Sequence, residues 1–138
     1  MKKNKRFVFD TNTLVSAFLL SSNTIAARAY YKAIETGELV LSDNTFNEFS
    51  DVFIRPKFDR YVPLSKRMII IEDLRSVVKV VPVKAVIEIC RDHKDDKFLE
   101  LAVDANATCI VTGDMDLLVL NPFRQIPIVT AADFLKLF

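Results

Sequence analysis

Glycine is almost missing from this chain, with two among 138 residues. So few exclude the glycine-rich loops that cradle nucleotide phosphates. No apolar run approaches the roughly 20 residues of a membrane span, so no membrane partner is expected. Cysteine is limited to Cys90 and Cys109, which stand in no metal-ligand spacing. With nothing pointing to export, both are expected reduced and buried in a cytoplasmic protein. The start, Met1-Lys2-Lys3-Asn4-Lys5-Arg6, is basic, but Asp10 and Asn12 interrupt the apolar stretch behind it. A signal peptide would not carry those residues, and Lys2, Lys3, Lys5 and Arg6 read as a solubilising terminus. Strong charge of either sign is also lacking. The net charge of +1 is low for a pure phosphate binder, yet an acidic metal site would cancel part of a basic surface, so a nuclease is compatible.

Hydrophobic residues are plentiful at 51%, eleven of them Phe, which excludes a disordered chain. The length suits one domain, 1–138, with a core that needs no metal or disulfide staple. Phe7-Val8-Phe9-Asp10 is a short apolar run ending in an acid, and reads as a strand (6–9) buried in a parallel sheet. Helices are expected over 13–19 and, capped by Thr24 and ended by Gly37, over 25–35. Residues 39–41 read as a second strand. Ser42 caps a third helix carrying Phe46, Phe49, Val52 and Phe53, which Pro56 stops. Residues 65–74 are amphipathic, and 76–81 are β-branched and strand-like. A polar loop at Asp92-His93-Lys94 leads to a helix over 96–106. A strand at 108–112, a short helix at 116–119, a strand at 126–129 and a helix at 131–137 complete the chain. Strands alternating with helices predict a parallel α/β sheet.

Ligands of open α/β sheets sit at the carboxyl ends of the strands, and acids fall there. Asp10 follows the first strand. Asp114 follows the strand at 108–112, with Asp116 two residues on, and Asp95 and Asp96 open a helix. At 100° per residue, Glu48 lies beside Val52 at the edge of the buried stripe, whereas Asp51 falls on the polar side. Each acid alone has an ordinary explanation, as helix cap, turn former or solvated residue. Together at one sheet edge they would repel one another unless a cation neutralised them. All-oxygen ligands suit Mg²⁺ or Mn²⁺, whose work in such sites is to activate water and stabilise phosphoryl charge.

Val8-Phe9-Asp10-Thr11-Asn12, Asn47-Glu48-Phe49, the run from Asp95-Asp96-Lys97 to Ala102, and Val111-Thr112-Gly113-Asp114-Met115-Asp116 together resemble the PIN-domain family. The branch is similar to toxins of toxin–antitoxin systems related to VapC-type toxins. The resemblance spans nearly the whole chain. It implies a three-layer α/β/α fold with a central parallel sheet, and a Mg²⁺- or Mn²⁺-dependent endoribonuclease. By position, Asp10, Glu48, Asp96 and Asp114 would be the catalytic and metal-binding acids, with Asp116 a further ligand. Asn12 and Thr112 would support them, and Asp95 would cap the helix beside Asp96. Phosphodiester hydrolysis would follow, with one ion or two, a second ion at roughly 3.5–4 Å stabilising the leaving 3′ oxygen. The family also implies a homodimer and a cognate antitoxin protein.

Arg55, Lys57, Phe58, Arg60 and Tyr61 interleave positive charge with rings, as single-strand binders do. Packing of Phe58 and Tyr61 on the core is the alternative. His93, the only histidine, reads as a surface residue near Asp96. Two other functions compete. A haloacid-dehalogenase-like phosphatase would use Asp10 as nucleophile, but Asn12 stands where it needs a second acid able to exchange a proton. A domain that binds RNA or protein without cutting would not need the full acidic set.

Overall fold

The computed structural model describes residues 5–138, so Lys2 and Lys3 of the expected basic terminus lie outside the described residues. Five strands, β1 (Arg6–Phe9), β2 (Glu38–Leu41), β3 (Lys79–Val80), β4 (Cys109–Val111) and β5 (Ile128–Val129), form one sheet in the order β3-β2-β1-β4-β5. Every pairing is parallel. Among the described residues seven α-helices accompany it: α1 (Thr11–Leu19), α2 (Ile25–Thr36), α3 (Asp43–Phe53), α4 (Leu64–Val77), α5 (Asp96–Ala105), α6 (Met115–Leu118) and α7 (Ala131–Leu137).

Successive strand residues point to opposite faces, and here both faces are covered, which is why the strands read as unbroken apolar runs. Phe7, Phe9, Leu39, Leu41 and Val111 pack with Leu14 of α1, Tyr30 of α2, Phe49 and Phe53 of α3, Leu74 of α4 and Phe134 of α7. Val8, Val40, Ile110 and Ile128 pack on the other side against Phe98, Leu99 and Ala102 of α5 and Leu117 of α6. The result is the expected three-layer α/β/α arrangement. Each fully buried Phe contributes about 1.5–3 kcal/mol through area removed from water.

The helix starts obey local chemistry. The hydroxyls of Thr24, Ser42 and Thr130 accept from the amides of Ala27, Thr45 and Asp133. Gly37 ends α2, its N–H donating to the Ala33 carbonyl. A Cβ there would collide with the Lys5 carbonyl, the same oxygen that takes the Glu38 N–H and opens the β1–β2 pairing.

Three strands are shorter than the sequence predicts, β4 by one residue at each end and β3 and β5 by more. Residues 76 and 77 belong to α4, whose stripe of Ile70, Ile71 and Leu74 carries the helix on until Val78 donates back to Leu74. Residue 126 belongs to a tight turn in which Phe123 and Ile126 exchange backbone bonds at 2.9 and 2.8 Å. Arg124 and Gln125 hold that turn with left-handed φ of 48° and 69°, as two-residue reversals require.

β1 lies between β2 and β4. From β1 the chain passes through α1 and α2 to β2 on one side, and reaches β4 on the other only after α5. The carboxyl ends of β1 and β4 therefore flank a topological switch point, where such sheets form a crevice.

A candidate metal centre at the switch point

Asp10 leaves β1 and caps α1. Its Oδ1 accepts the Thr13 N–H at 2.9 Å, and its Oδ2 accepts the Thr112 hydroxyl at 2.6 Å. Capping and a site role are compatible, because a carboxylate has about four lone-pair positions and these bonds fill two. Burial raises its pKa, against the pull of the Thr112 and Thr13 bonds. Thr112 also takes the Asp114 N–H on its Oγ at 2.9 Å, so one hydroxyl fixes the exits of both strands. Asp10, Asn12, Thr13, Ser16, Gly113 and Asp114 line a cavity of about 470 Å³, with Ile25, Ala26 and Ala131.

Beside it, Asp95, Asp114 and Asp116 each bring a carboxylate oxygen within 4.8 Å of the others, all three half-buried. Asp114 caps α6, its Oδ1 accepting the Asp116 N–H at 2.9 Å. Burial first, then the neighbouring charge of Asp114, push Asp95 up to about 7. Crowded like charges with no cation beside them oppose the ionisation of Asp95. Three convergent carboxylate oxygens fit a hard divalent cation such as Mg²⁺ or Mn²⁺.

Asp95 and Asp96, expected as cap and ligand, are placed otherwise: Asp95 lies with Asp114 and Asp116, and Asp96 does not. Asp95 makes no capping bond, because a 3₁₀ turn (His93–Asp95) runs directly into α5 and leaves no extended residue before it. Asp96 turns to the segment before α5. Its Oδ1 accepts the amides of Ile89 (3.2 Å) and Cys90 (2.8 Å), and its Oδ2 meets His93 Nδ1 at 2.8 Å. Burial opposes its ionisation, but the Cys90 amide, His93 and the Ile89 amide overcome this and hold it down at about 2. Asp96 lines a separate cavity of about 480 Å³, with His93, Lys97 and Glu100. It anchors the irregular segment before α5.

Glu48 reaches the sheet edge as expected, and Asp51 is exposed. Glu48 is nevertheless outside the group of three. The Thr11 hydroxyl donates to its Oε1, and Lys97 Nζ lies 2.9 Å from its Oε2. Asp116 is likewise paired, with Arg91 donating to both oxygens at 3.0 and 3.1 Å. Asn12 is exposed on the cavity wall. Sequence reasoning passed over Lys97 and Arg91 as partners of these acids. Lys97 had one signal, its place next to Asp96, whereas Arg91 is 25 residues from Asp116 and had none.

The connection after α3 is built around Arg67, another residue the sequence did not single out. Arg67 is fully buried. It donates to the carbonyls of Val62, Phe53 and Arg55 at 2.9, 2.8 and 3.1 Å, and pairs with Asp59. Arg55, Lys57 and Arg60 project outward from this fixed loop. Phe58 is half-buried against the core, while Tyr61 is exposed. Cys90 and Cys109 are unpaired and buried, and desolvation pushes both thiols up to about 12, so neither is a thiolate at neutral pH.

A parallel sheet that gathers carboxylates at its switch point defines an α/β protein suited to hold a divalent cation there. The model of the PIN domain matches residues 6–116, and the chain belongs to this family, whose members are generally metal-dependent nucleases. The uncharacterized protein MJ1680 of Methanocaldococcus jannaschii is 30% identical over 124 residues, 88% of this chain and 79% of that one. The crystal structure of PAE2754 from Pyrobaculum aerophilum superposes with a TM-score of 0.64 at 16% identity, covering 99% of this chain and 91% of that one. That likeness concerns the fold. No helix among the described residues is long and apolar enough to cross a membrane.

Proposed function

We propose that this chain is a Mg²⁺- or Mn²⁺-dependent ribonuclease that hydrolyses RNA phosphodiester bonds at the carboxyl edge of β1 and β4. The observation that carries the reading is the convergence of Asp95, Asp114 and Asp116 within 4.8 Å beside the cavity holding Asp10. Asp95, Asp114 and Asp116 would hold the ion, with Asp10 adjoining. When bound, the ion supplies charge compensation for the phosphoryl oxygens and a more acidic water.

The chain's own groups do the positioning. Thr112 and the Thr13 amide fix Asp10 so that its carboxylate faces the cavity, where it takes the proton of the water attacking phosphorus in line. Glu48, held by Thr11 and neutralised by Lys97, buttresses the start of α1. Membership of the PIN family and the amide at Asn12 both weigh against the phosphatase alternative. The acidic convergence favours cutting over passive binding, since unneutralised carboxylates repel phosphate.

We also propose the toxin role in a toxin–antitoxin pair, by family resemblance. A groove of about 340 Å³ between α1, α2 and α4, lined by Phe18, Tyr30, Tyr31, Ile70 and Val77, supports a partner chain or a second copy there. The nuclease reading is tested by incubating labelled single-stranded RNA with the protein and with Asp10→Asn, in Mn²⁺ or in EDTA. Cutting that needs both Mn²⁺ and Asp10 is the expected result. Equal cutting by the variant would refute the assignment.

A further inference from the structure

The solvent side of α1 continues beyond the acidic cavity. Ser16 lines that cavity and also a second groove, of about 190 Å³, formed with Leu19, Leu20, Phe58 and Tyr61. The two spaces thus adjoin at one side chain. The groove has an apolar floor and aromatic walls, Tyr61 being 48% exposed and Leu20 61% exposed. Its rim is cationic. Lys57 Nζ lies 5.1 Å from the centre of the Phe58 ring, and the Arg60 guanidinium 5.2 Å from that of Tyr61. Arg67 fixes the loop carrying these rings, so little ordering remains to be done on binding. From Asp10 to Leu20, α1 advances about 15 Å at 1.5 Å per residue, which sets the groove beside the acidic centre but clear of it.

We propose that this groove is a base-binding subsite for single-stranded RNA. An unpaired base a nucleotide or two away from the scissile phosphate stacks on Tyr61, and Lys57 and Arg60 contact the phosphates next to it. The chemistry matches the occupant: aromatic platforms with cations beside them take any exposed base, whereas a duplex keeps its bases stacked within the helix. The volume matches too, being below the roughly 300 Å³ at which pockets for larger ligands begin, too small for a docked helix. Charge complementarity with phosphate and adjacency to the acidic cavity favour RNA over a protein segment. The inference rests on the ribonuclease reading for where the scissile phosphate lies.

The test uses the full chain carrying Asp10→Asn, with a fluorescein-labelled single-stranded RNA followed by anisotropy. Adding Tyr61→Ala is expected to weaken binding about tenfold or more, the usual loss on removing a stacking ring. Tyr61→Phe, which keeps the ring, is expected to bind like the parent. Lys57→Ala and Arg60→Ala are each expected to flatten the salt dependence, by about 0.7 in the logarithmic slope. Duplex RNA of the same sequence is expected to be indifferent to Tyr61→Ala. An unchanged single-strand affinity in Tyr61→Ala, or an equal loss with duplex, would overturn the subsite. So would unchanged RNA affinity accompanied by lost self-association, which would assign the groove to a second copy. The two readings fail differently. Mn²⁺-dependent cutting whose KM ignores Tyr61→Ala refutes the subsite alone, whereas Tyr61-dependent binding by a wild-type protein that never cuts refutes the nuclease alone.

Discussion

Replacing Asp95 by Asn should make the metal-free protein more stable and at the same time blind to Mn²⁺. Asp95 is pushed from the ordinary 3.8 to about 7 by burial and by Asp114. Because the folded chain holds this proton more tightly than the unfolded chain, the contribution to stability is greatest below about pH 4. It falls as pH rises from about 4 to about 7, and is flat above that. The gap sets a ceiling of about 4 kcal/mol at pH 8, and partial exposure with solvent screening reduces it to about 1–2 kcal/mol. An amide cannot ionise, so Asp95→Asn should recover that amount, about 3–7 °C in Tm for a chain of this size. Wild type should instead gain about 2.7 kcal/mol from Mn²⁺ at a hundred times its Kd, and the variant far less. Asp96→Asn should behave oppositely. It gives up charge-assisted bonds to Cys90, His93 and Ile89, costing about 1.5–3 kcal/mol, while the Mn²⁺ response survives. Its contribution in wild type is present above about pH 4 and lost as pH falls toward about 2. Thermal melts of the three proteins at pH 8, with Mn²⁺ or EDTA, decide the matter. A Mn²⁺ response that vanishes in Asp96→Asn and persists in Asp95→Asn would refute the assignment.

Two other variants probe the surroundings. Arg67→Leu strips the buried Phe53 carbonyl and two partly buried ones of their donor, and urea unfolding should report a loss of about 3–5 kcal/mol; a loss under 1 kcal/mol would show that the loop does not depend on it. Arg91→Gln frees Asp116 from a cation, and calorimetric Mn²⁺ titration at low salt should read a few-fold tighter Kd, the modest size reflecting an exposed pair; unchanged affinity would mean the pair does not compete with the ion.

The layered sheet, the cap at Ser42 and the acids at the ends of β1 and β4 were legible because local pattern determines them. Apolar runs mark buried strands, hydroxyls mark helix starts, and an acid behind a strand falls at the edge. The choice between Asp95 and Asp96 was harder, since adjacent residues on a helical turn diverge by about 100°. A signal was nevertheless available: Asp95 stands four and seven residues before Leu99 and Ala102, on the stripe that packs under the sheet. Asp96 instead meets amides seven and six residues upstream, in a segment without regular structure. Arg67 was invisible for a related reason. Its partners are carbonyls at Phe53, Arg55 and Val62, and a carbonyl carries no side-chain identity for a pattern to read.

Several acids around the centre have partners of their own. Glu48 has Lys97, Asp116 has Arg91 and Asp96 has His93, while Asp10 has two neutral donors. Glu48 and Asp116 thus have a fixed cation beside them, whereas Asp10 has none. Asp95 and Asp114 face each other with no ion pair to either among the described residues, and there burial and the charge of Asp114 raise the pKa of Asp95. With Glu48 and Asp116 already paired, an ion entering the group has chiefly the repulsion among Asp95, Asp114 and Asp10 to relieve. A chain with the same acids and no such partners would oppose folding at every carboxylate. Here the electrostatic cost is concentrated at the point where a divalent cation would remove it.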